Sequence, residues 1–159
     1  MLSYGRLKEL NTMEMTWIDI LIEHPPVASL EEVALVEQEI GFKLPQDFIE
    51  IARHNQGRMP NPHYHEADGK GGVLSALFHF NGEFDDGRLG WGDFINEGAD
   101  TLLLAFSRDG GGNFFAFDYG NDPQMEKPEI VYWDHETRNI TKLADTFEEF
   151  LGQLKSEYT

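Results

Sequence analysis

The most chemically suggestive stretch of the chain is SRDGGGNFFAFDY, residues 107–119, in which three glycines lie between an acid and an amide. Such a turn could cradle a phosphate, bind a cation or close a β-hairpin. A phosphate cradle requires a strand, the glycine-rich turn and then a helix whose N-terminus meets the anion. Here residues 114–117 have a strand pattern, and no Lys-Ser or Lys-Thr pair follows Gly112. The stretch therefore predicts a hairpin in which residues 107–113 join two strands.

A second acidic stretch, NGEFDDG at residues 81–87, resembles a calcium loop because oxygen-bearing side chains fall on alternate positions. An EF-hand loop has glycine at its sixth position and a bidentate glutamate at its twelfth. In this chain those positions hold Asp86 and Gly92. The stretch is therefore interpreted as an acidic surface loop.

The best metal-ligating candidates are two histidines and two acids in a short segment. Imidazoles and carboxylates are ligands that zinc prefers. The segment is rich in Gly and Pro, however, and its histidines are not spaced at i, i+4 on a helix. This favours an exposed or partner-contacting loop over a metal centre. The four residues are His63, His65, Glu66 and Asp68.

Catalytic chemistry finds little further support. The chain has no cysteine, which excludes a thiol nucleophile, disulfides and Cys-ligated metals. Ser75 and Ser107 lie outside any G-x-S-x-G nucleophile elbow. Adjacent carboxylates such as Glu31 and Glu32 are typical of a solvated helix face. We therefore expect no catalytic residue, no cofactor and no metal, and hence no enzyme.

The elements that would position these residues begin with helices. Ser29 and Glu32 form a capping-box pattern at the start of one helix, and Gly41 is placed to end it. Pro45 is placed at the start of the next helix. The periodicity and these signals predict helices over residues 16–23, 30–40 and 46–54.

The rest of the chain has the sequence pattern of a β-sheet. Gly, Pro, His and Asn predict a long loop over residues 56–72. Apolar and aromatic alternation then predicts strands, and a capped amphipathic helix closes the chain. The predicted class is α+β, with N-terminal helices and a C-terminal helix packed on a mostly antiparallel sheet, in a single domain over residues 1–159. The strands are expected over residues 73–80, 101–106, 114–119, 129–134 and 140–143, and the last helix over 145–151.

Charge is the strongest compositional signal, since 29 acidic residues against 12 basic ones leave a formal net charge of -17. Such a chain repels nucleic-acid phosphates and anionic membranes, and it attracts a basic partner. A simpler interpretation, favoured on composition alone, is that the acidity keeps the protein soluble. The N-terminus has no unbroken apolar signal segment, and the longest wholly apolar run is residues 102–106. We expect a cytoplasmic protein.

The order of motifs resembles the SUKH superfamily, which groups bacterial toxin-immunity proteins with yeast regulators of cell-wall synthesis. Two departures from the family pattern are Gln56, where the family often has Gly, and Asn113, where Asp is common. The resemblance implies a non-enzymatic α+β domain, and an immunity role implies binding to a cognate polymorphic toxin, often a nuclease. It spans about residue 16 to the C-terminus and is carried by Glu37, GFKLPQDF at 41–48, NQG at 55–57, Trp91, the turn at 109–113, Asp118 and TFEEFL at 146–151.

The predicted partner contacts come from loops whose residues are hard to explain as core. Aromatic anchors with a charged rim are typical of such interfaces. For Trp91, burial in the core is at least as good an explanation. The candidates are Tyr64, His65, Glu83, Phe84, Asp85, Asp86, Trp91, Asp93, Asp109 and Asn113.

Two other functions stay open at this point. The first is a regulatory or scaffold module of the kind that the yeast relatives suggest. The second, less favoured, is a metal-dependent enzyme that uses the residues between 63 and 68.

Overall fold

A computed structural model describes residues 16–19, 26–67, 70–80 and 100–156 of the chain. Within these ranges it contains three helices and eight short strands, and the strands form three antiparallel sheets. The predicted α+β class is confirmed. The prediction of one domain over the whole chain stays a prediction.

Helix α1 spans Leu30–Ile40 and is capped as the sequence predicts. The Ser29 hydroxyl accepts a hydrogen bond from the backbone of Glu32 at 3.0 Å, and the Glu32 carboxylate accepts one from the backbone of Ser29 at 2.9 Å. Gly41 ends the helix at a φ of 79°, in the left-handed region that glycine tolerates. These local interactions explain why the helix was predictable, and its buried residues are Val33 and Val36.

Helix α2 spans Gln46–Asn55, and a tightly bonded turn joins it to α1. The Glu37 carboxylate accepts a hydrogen bond from the Leu44 backbone at 2.7 Å. The Tyr119 hydroxyl donates to the Lys43 carbonyl at 2.6 Å. Burial, with the nearby Glu37 charge, raises the pKa of Tyr119, so the phenol stays protonated as a donor. The turn is therefore bonded both to α1 and to the sheet.

The prediction of a helix over residues 16–23 is wrong for its first half. Thr16–Asp19 form strand β1, which pairs antiparallel with strand β2, Arg58–Asn61. The Arg58 guanidinium also contacts the Asp19 carboxylate at 2.6 Å. A short apolar run does not distinguish helix from strand, and Trp and Ile favour strands once a pairing partner exists. Residues 20–23 lie outside the described part of the chain.

The predicted loop over residues 56–72 is also incorrect, because it contains β2 and most of a second hairpin. Strand β3, Tyr64–Ala67, pairs with strand β4, Lys70–Val73. The predicted strand at 73–80 is largely absent, since only its first residue belongs to β4. The segment that follows β4 nevertheless runs beside the main sheet. Its amides at Ser75 and Phe78 donate to the carbonyls of Arg108 and Phe106 at 2.9 and 3.2 Å.

The main sheet is a four-stranded antiparallel meander, as predicted, with bounds that shift by up to two residues. An extra residue, Phe106, interrupts the pairing between the first two strands. The predicted alternation in the second strand is confirmed, since Phe115 and Phe117 enter the main core while Ala116 joins a smaller cluster. In order across the sheet, the strands are β5 at Leu103–Arg108, β6 at Phe114–Asp118, β7 at Glu129–Trp133 and β8 at Ile140–Ala144.

Helix α3 spans Phe147–Gly152, and the Thr146 hydroxyl caps it by accepting a hydrogen bond from Glu149 at 3.1 Å. The core between the helices and the sheet is aromatic. Phe48 of α2 is fully buried and contacts rings from three parts of the fold. Edge-on and tilted ring pairs of this kind add to the stabilisation from apolar burial. The ring centroids lie 5.0 Å from Phe147, 5.1 Å from Phe117, 5.8 Å from Phe106 and 6.2 Å from Phe80.

Candidate functional site

Four of the ten predicted contact residues lie in the described part of the chain: Tyr64, His65, Asp109 and Asn113. The structure places them in two separate regions, the β3 strand and the turn between β5 and β6. The other six lie outside the described residues: Glu83, Phe84, Asp85, Asp86, Trp91 and Asp93.

The glycine-rich turn is confirmed as a hairpin connection, and Asp109 organises it. One carboxylate oxygen accepts hydrogen bonds from the amides of Gly111 and Asn113 at 2.8 and 3.0 Å. The other accepts from the Asn113 side chain at 3.0 Å and from the Tyr132 hydroxyl at 2.5 Å. These donors outweigh the cost of partial burial and lower the pKa of Asp109. The carboxylate that we predicted to contact a partner is used within the turn.

Asn113 extends this network to the next hairpin. Its side-chain oxygen accepts from the His135 backbone at 3.0 Å and lies 2.8 Å from the His135 ring nitrogen Nδ1. His135 belongs to the turn between β7 and β8. Asp109 and Asn113 therefore connect the two turns, and the surface of the β5–β6 turn is mainly three exposed glycines, Gly110, Gly111 and Gly112.

A third hairpin packs directly on this network. A β-carbon at Gly72 of β4 would lie 2.9 Å from the Asp109 carboxylate and 3.2 Å from the Tyr132 ring. Only glycine allows this approach, because such a short contact requires something to move. Burial, followed by the Asp109 hydrogen bond, raises the pKa of Tyr132 and keeps its hydroxyl a donor.

The structure places His65, one of the predicted contact residues, in the core. Its side chain is 3% exposed, stacks on Phe150 with ring centroids 5.4 Å apart, and places Nε2 2.9 Å from the Gln153 side-chain oxygen. Desolvation lowers the pKa of His65, and the nearby Lys155 charge lowers it further, although the Gln153 bond opposes both. A neutral, buried imidazole that joins β3 to α3 is not available to a partner in this conformation.

Tyr64 lies half-buried on the same strand, beside exposed Glu66. The Tyr64 hydroxyl donates to the Glu66 carboxylate at 3.1 Å, and the Lys155 ammonium lies 6.0 Å from the Tyr64 ring centroid. Because side chains alternate along a strand, Tyr64 and Glu66 face away from His65. Tyr64 stays a predicted partner contact, and Glu66, earlier considered as a metal ligand, lies exposed beside it.

The metal interpretation gains nothing from this arrangement. His65 points into the core, and Asp68 lies outside the described residues. Among the residues that the structure describes, no three His, Asp or Glu side chains converge in a way that could hold a metal ion.

None of the described helices is long and apolar enough to cross a bilayer.

Sequence reasoning missed a cleft of about 490 Å³ at the N-terminal ends of α2 and α3. Four acids line it, Asp47, Glu50, Glu126 and Glu148, together with two lysines, Lys43 and Lys127. Asp47 also holds the two helices together, since it accepts a hydrogen bond from the Glu148 backbone at 3.0 Å. Lys43 lies at the rim and pairs with Glu126 at 3.2 Å.

Glu148 lies among like charges in the cleft. Burial raises the pKa of Glu148, and the negative charges of Asp47 and Glu50 raise it further. A positive side chain placed among these acids would relieve their repulsion. The QDFIE segment at 46–50 and the TFEEF segment at 146–150 supply these acids, but nothing in the sequence shows that the two segments meet.

The departure at Gln56 has a structural role. Gln56 is fully buried; its amide nitrogen donates to the Pro26 carbonyl at 2.6 Å, and its oxygen accepts from the Phe80 backbone at 2.7 Å. Glycine at this position would have neither group. Gln56 therefore connects the segment before α1 to the segment that follows β4.

The comparison with known protein families agrees with this architecture. The model of the SMI1 / KNR4 family (SUKH-1) matches residues 27–153, which include all three helices and strands β2 to β8. No curated protein matches the chain. The family fits a non-enzymatic role in immunity or regulation. By this match over most of its length, the chain belongs to the SMI1/KNR4 (SUKH-1) family.

Proposed function

We propose that this protein is an immunity protein that neutralises a cognate toxin by binding directly to a basic surface on it. The observation that carries the proposal is the charge of this family member: 29 acidic residues against 12 basic ones. A nuclease toxin must present a positive face to its nucleic-acid substrate. An acidic protein that covers this face blocks the substrate without any chemistry of its own.

The distribution of charge in the described part of the chain supports this proposal. The ion pairs identified there engage Asp19, Glu126, Glu129 and Asp145, and Glu126 is the member of this set that lines the cleft. None of them involves Glu50 or Glu148 in the cleft. With Asp47 and Glu126 they outnumber the two lysines that line the cleft, Lys43 and Lys127, so a Lys or Arg side chain of the toxin would be favoured there.

Electrostatics of this kind acts mainly on association. Complementary charge raises the rate at which partners meet, and salt weakens it because the screening length shrinks to about 8 Å at physiological ionic strength. We therefore expect the association rate constant to fall steeply with added salt, while the dissociation rate constant changes less.

The test is to express the protein with the toxin domain encoded beside its gene, and to measure growth rescue and binding by surface plasmon resonance. We expect growth rescue and a Kd of about 1 nM. The absence of both binding and rescue would refute the proposal.

A matched pair of charge variants tests the cleft. Glu50→Gln with Glu148→Gln should slow association, whereas Glu129→Gln with Glu136→Gln, which removes the same charge from the β7 region, should slow it less. Equal effects from the two pairs would show that only the overall charge matters.

The matched family description, SMI1 / KNR4, also favours a second candidate, a regulatory or scaffold module that binds proteins of its own cell. Gene context separates the two. A gene directly beside a large secreted protein with a variable C-terminal domain favours immunity, and an isolated gene favours regulation.

A further inference from the structure

The outward side of α1 is more apolar than a solvated helix requires. Among the described residues, four large aliphatic side chains are exposed, and three of them lie between positions 27 and 35. Leu30 is 61% exposed, Leu35 is 57% exposed and Val27, just before the helix, is 51% exposed. Single exposed aliphatic residues are ordinary, but a cluster on one short segment is typical of an interaction surface.

Helix geometry places the two leucines at opposite margins of the outward side. The core-facing row is Val33 and Val36. At about 100° and 1.5 Å per residue, Leu30 and Leu35 lie about 140° apart around the axis and about 7.5 Å apart along it. The residues between them on this side are Glu31 and the small, exposed Ala34. The two leucines therefore flank Glu31 and Ala34 on the outward side.

The charge of the helix indicates what would cover this surface. Its sequence, LEEVALVEQEI, contains four glutamates and no basic residue, even in its last turn, where a cation is favoured. Glu31 and Glu39 are exposed beside the apolar side chains. The surface combines aliphatic contact area with negative charge, which is complementary to apolar side chains flanked by Lys or Arg.

We propose that the outer face of α1, made of Val27, Leu30, Glu31, Ala34 and Leu35, is a docking surface for a basic, partly apolar segment of a partner protein. A second copy of this chain is a poor occupant, because two identical faces that each carry Glu31, on molecules of net charge -17, repel each other. The inference deepens the proposed immunity function and rests on it, since the basic partner is the toxin.

The test compares charge-neutral variants that remove apolar contact area and keep helix propensity. Leu30→Gln with Leu35→Gln is measured against the toxin domain encoded beside the gene, and Ile140→Gln on β8 is the control, because Ile140 is an exposed aliphatic residue away from α1. We expect the double variant to raise Kd on the order of 30-fold, mainly through faster dissociation, and the control to change Kd less than about 3-fold. Far-UV circular dichroism and urea unfolding of each variant check that the fold is kept.

A second measurement uses the absence of cysteine in the chain. Leu35→Cys introduces a single thiol on the proposed surface, and Ile140→Cys introduces one outside it. Bound toxin should slow alkylation of the first thiol at least about 10-fold and leave the second unchanged.

The outcomes separate the two proposals. Suppose that the wild-type chain binds the toxin, that the double glutamine variant binds equally well, and that the thiol of the Leu35→Cys variant stays reactive in the complex. The docking surface is then wrong and the immunity function stands. If the wild-type chain does not bind the toxin, both proposals fail. Weaker binding of the leucine variant, together with protection of the thiol at position 35, supports both.

Discussion

Replacing Gly112 by alanine should destabilise the protein, whereas the same change two residues earlier should not. Gly112 has a φ of 90°, and a β-carbon there would lie 3.3 Å from the His135 ring. The ring cannot yield freely, because its Nδ1 lies 2.8 Å from the Asn113 side-chain oxygen. At Gly110 a β-carbon would meet nothing within 4 Å, and the backbone lacks a positive φ. The two substitutions therefore differ in native-state strain.

The expected difference in the free energy of unfolding depends on one contribution that both variants share and one that only Gly112→Ala has. Glycine to alanine removes freedom from the unfolded chain in both cases, which stabilises the protein by about 0.4–1 kcal/mol. Only Gly112→Ala must place a side chain at strongly positive φ, which costs about 1–2 kcal/mol. The difference between the variants isolates this strain. Gly110→Ala should match or exceed the wild type in stability, and Gly112→Ala should fall about 1–2 kcal/mol below Gly110→Ala.

Urea unfolding followed by tryptophan fluorescence measures this difference. With a slope of about 2 kcal/mol per molar urea, the midpoints of the two alanine variants should differ by about 0.5–1 M. Gly112→Asn should recover part of the loss, because asparagine tolerates the left-handed region better than alanine. Equal midpoints for Gly110→Ala and Gly112→Ala would refute the argument that the turn needs glycine only at its last position.

Three further predictions concern other hydrogen bonds of the fold. Glu37→Ala should lower the free energy of unfolding by about 1–3 kcal/mol, because it leaves the Leu44 amide without its acceptor, and Glu37→Gln should cost less; urea unfolding measures both. Tyr132→Phe removes a donor to Asp109, so it should cost about 1 kcal/mol and raise the Asp109 pKa, which acid unfolding would record as a transition at higher pH. Burial lowers the pKa of His65 below its ordinary value of 6.5, so the unfolded state binds a proton more readily than the folded state. The stability of the wild-type protein should therefore fall as the pH drops below 6.5. His65→Phe should show a smaller fall in melting temperature between about pH 7.5 and 5.5. An unchanged pH dependence would show that His65 is not desolvated.

Some elements could be predicted because their signals lie within a few residues of each other. The capping box of Ser29 and Glu32 and the terminal Gly41 indicate α1, and the structure reproduces each of them. The alternation of Phe115 and Phe117 likewise defines a strand and its buried face. Such patterns depend on backbone periods that every helix or strand shares.

Other elements were decided by partners that are distant in the chain. The sequence of β1 predicts a helix, but in the fold these residues pair with Arg58–Asn61 as a strand. His65 looked like an exposed ligand, and only the packing of β3 on α3 shows that it is buried against Phe150. Asp109 looked like a contact at the tip of a turn until Tyr132, from another hairpin, was found to donate to it.

The sequence by itself determined the class of the fold, the caps of its helices, the meander of its main sheet and its large negative charge. Only the tertiary structure shows which acids lie next to each other, because Asp47 and Glu148 are in contact although 101 positions of sequence separate them. It also decided which apolar residues of α1 face outward, since that depends on what the opposite face packs against. The physical reason is the same in both cases: sequence patterns encode short-range periodicity, while a binding surface is made by residues that only folding brings together.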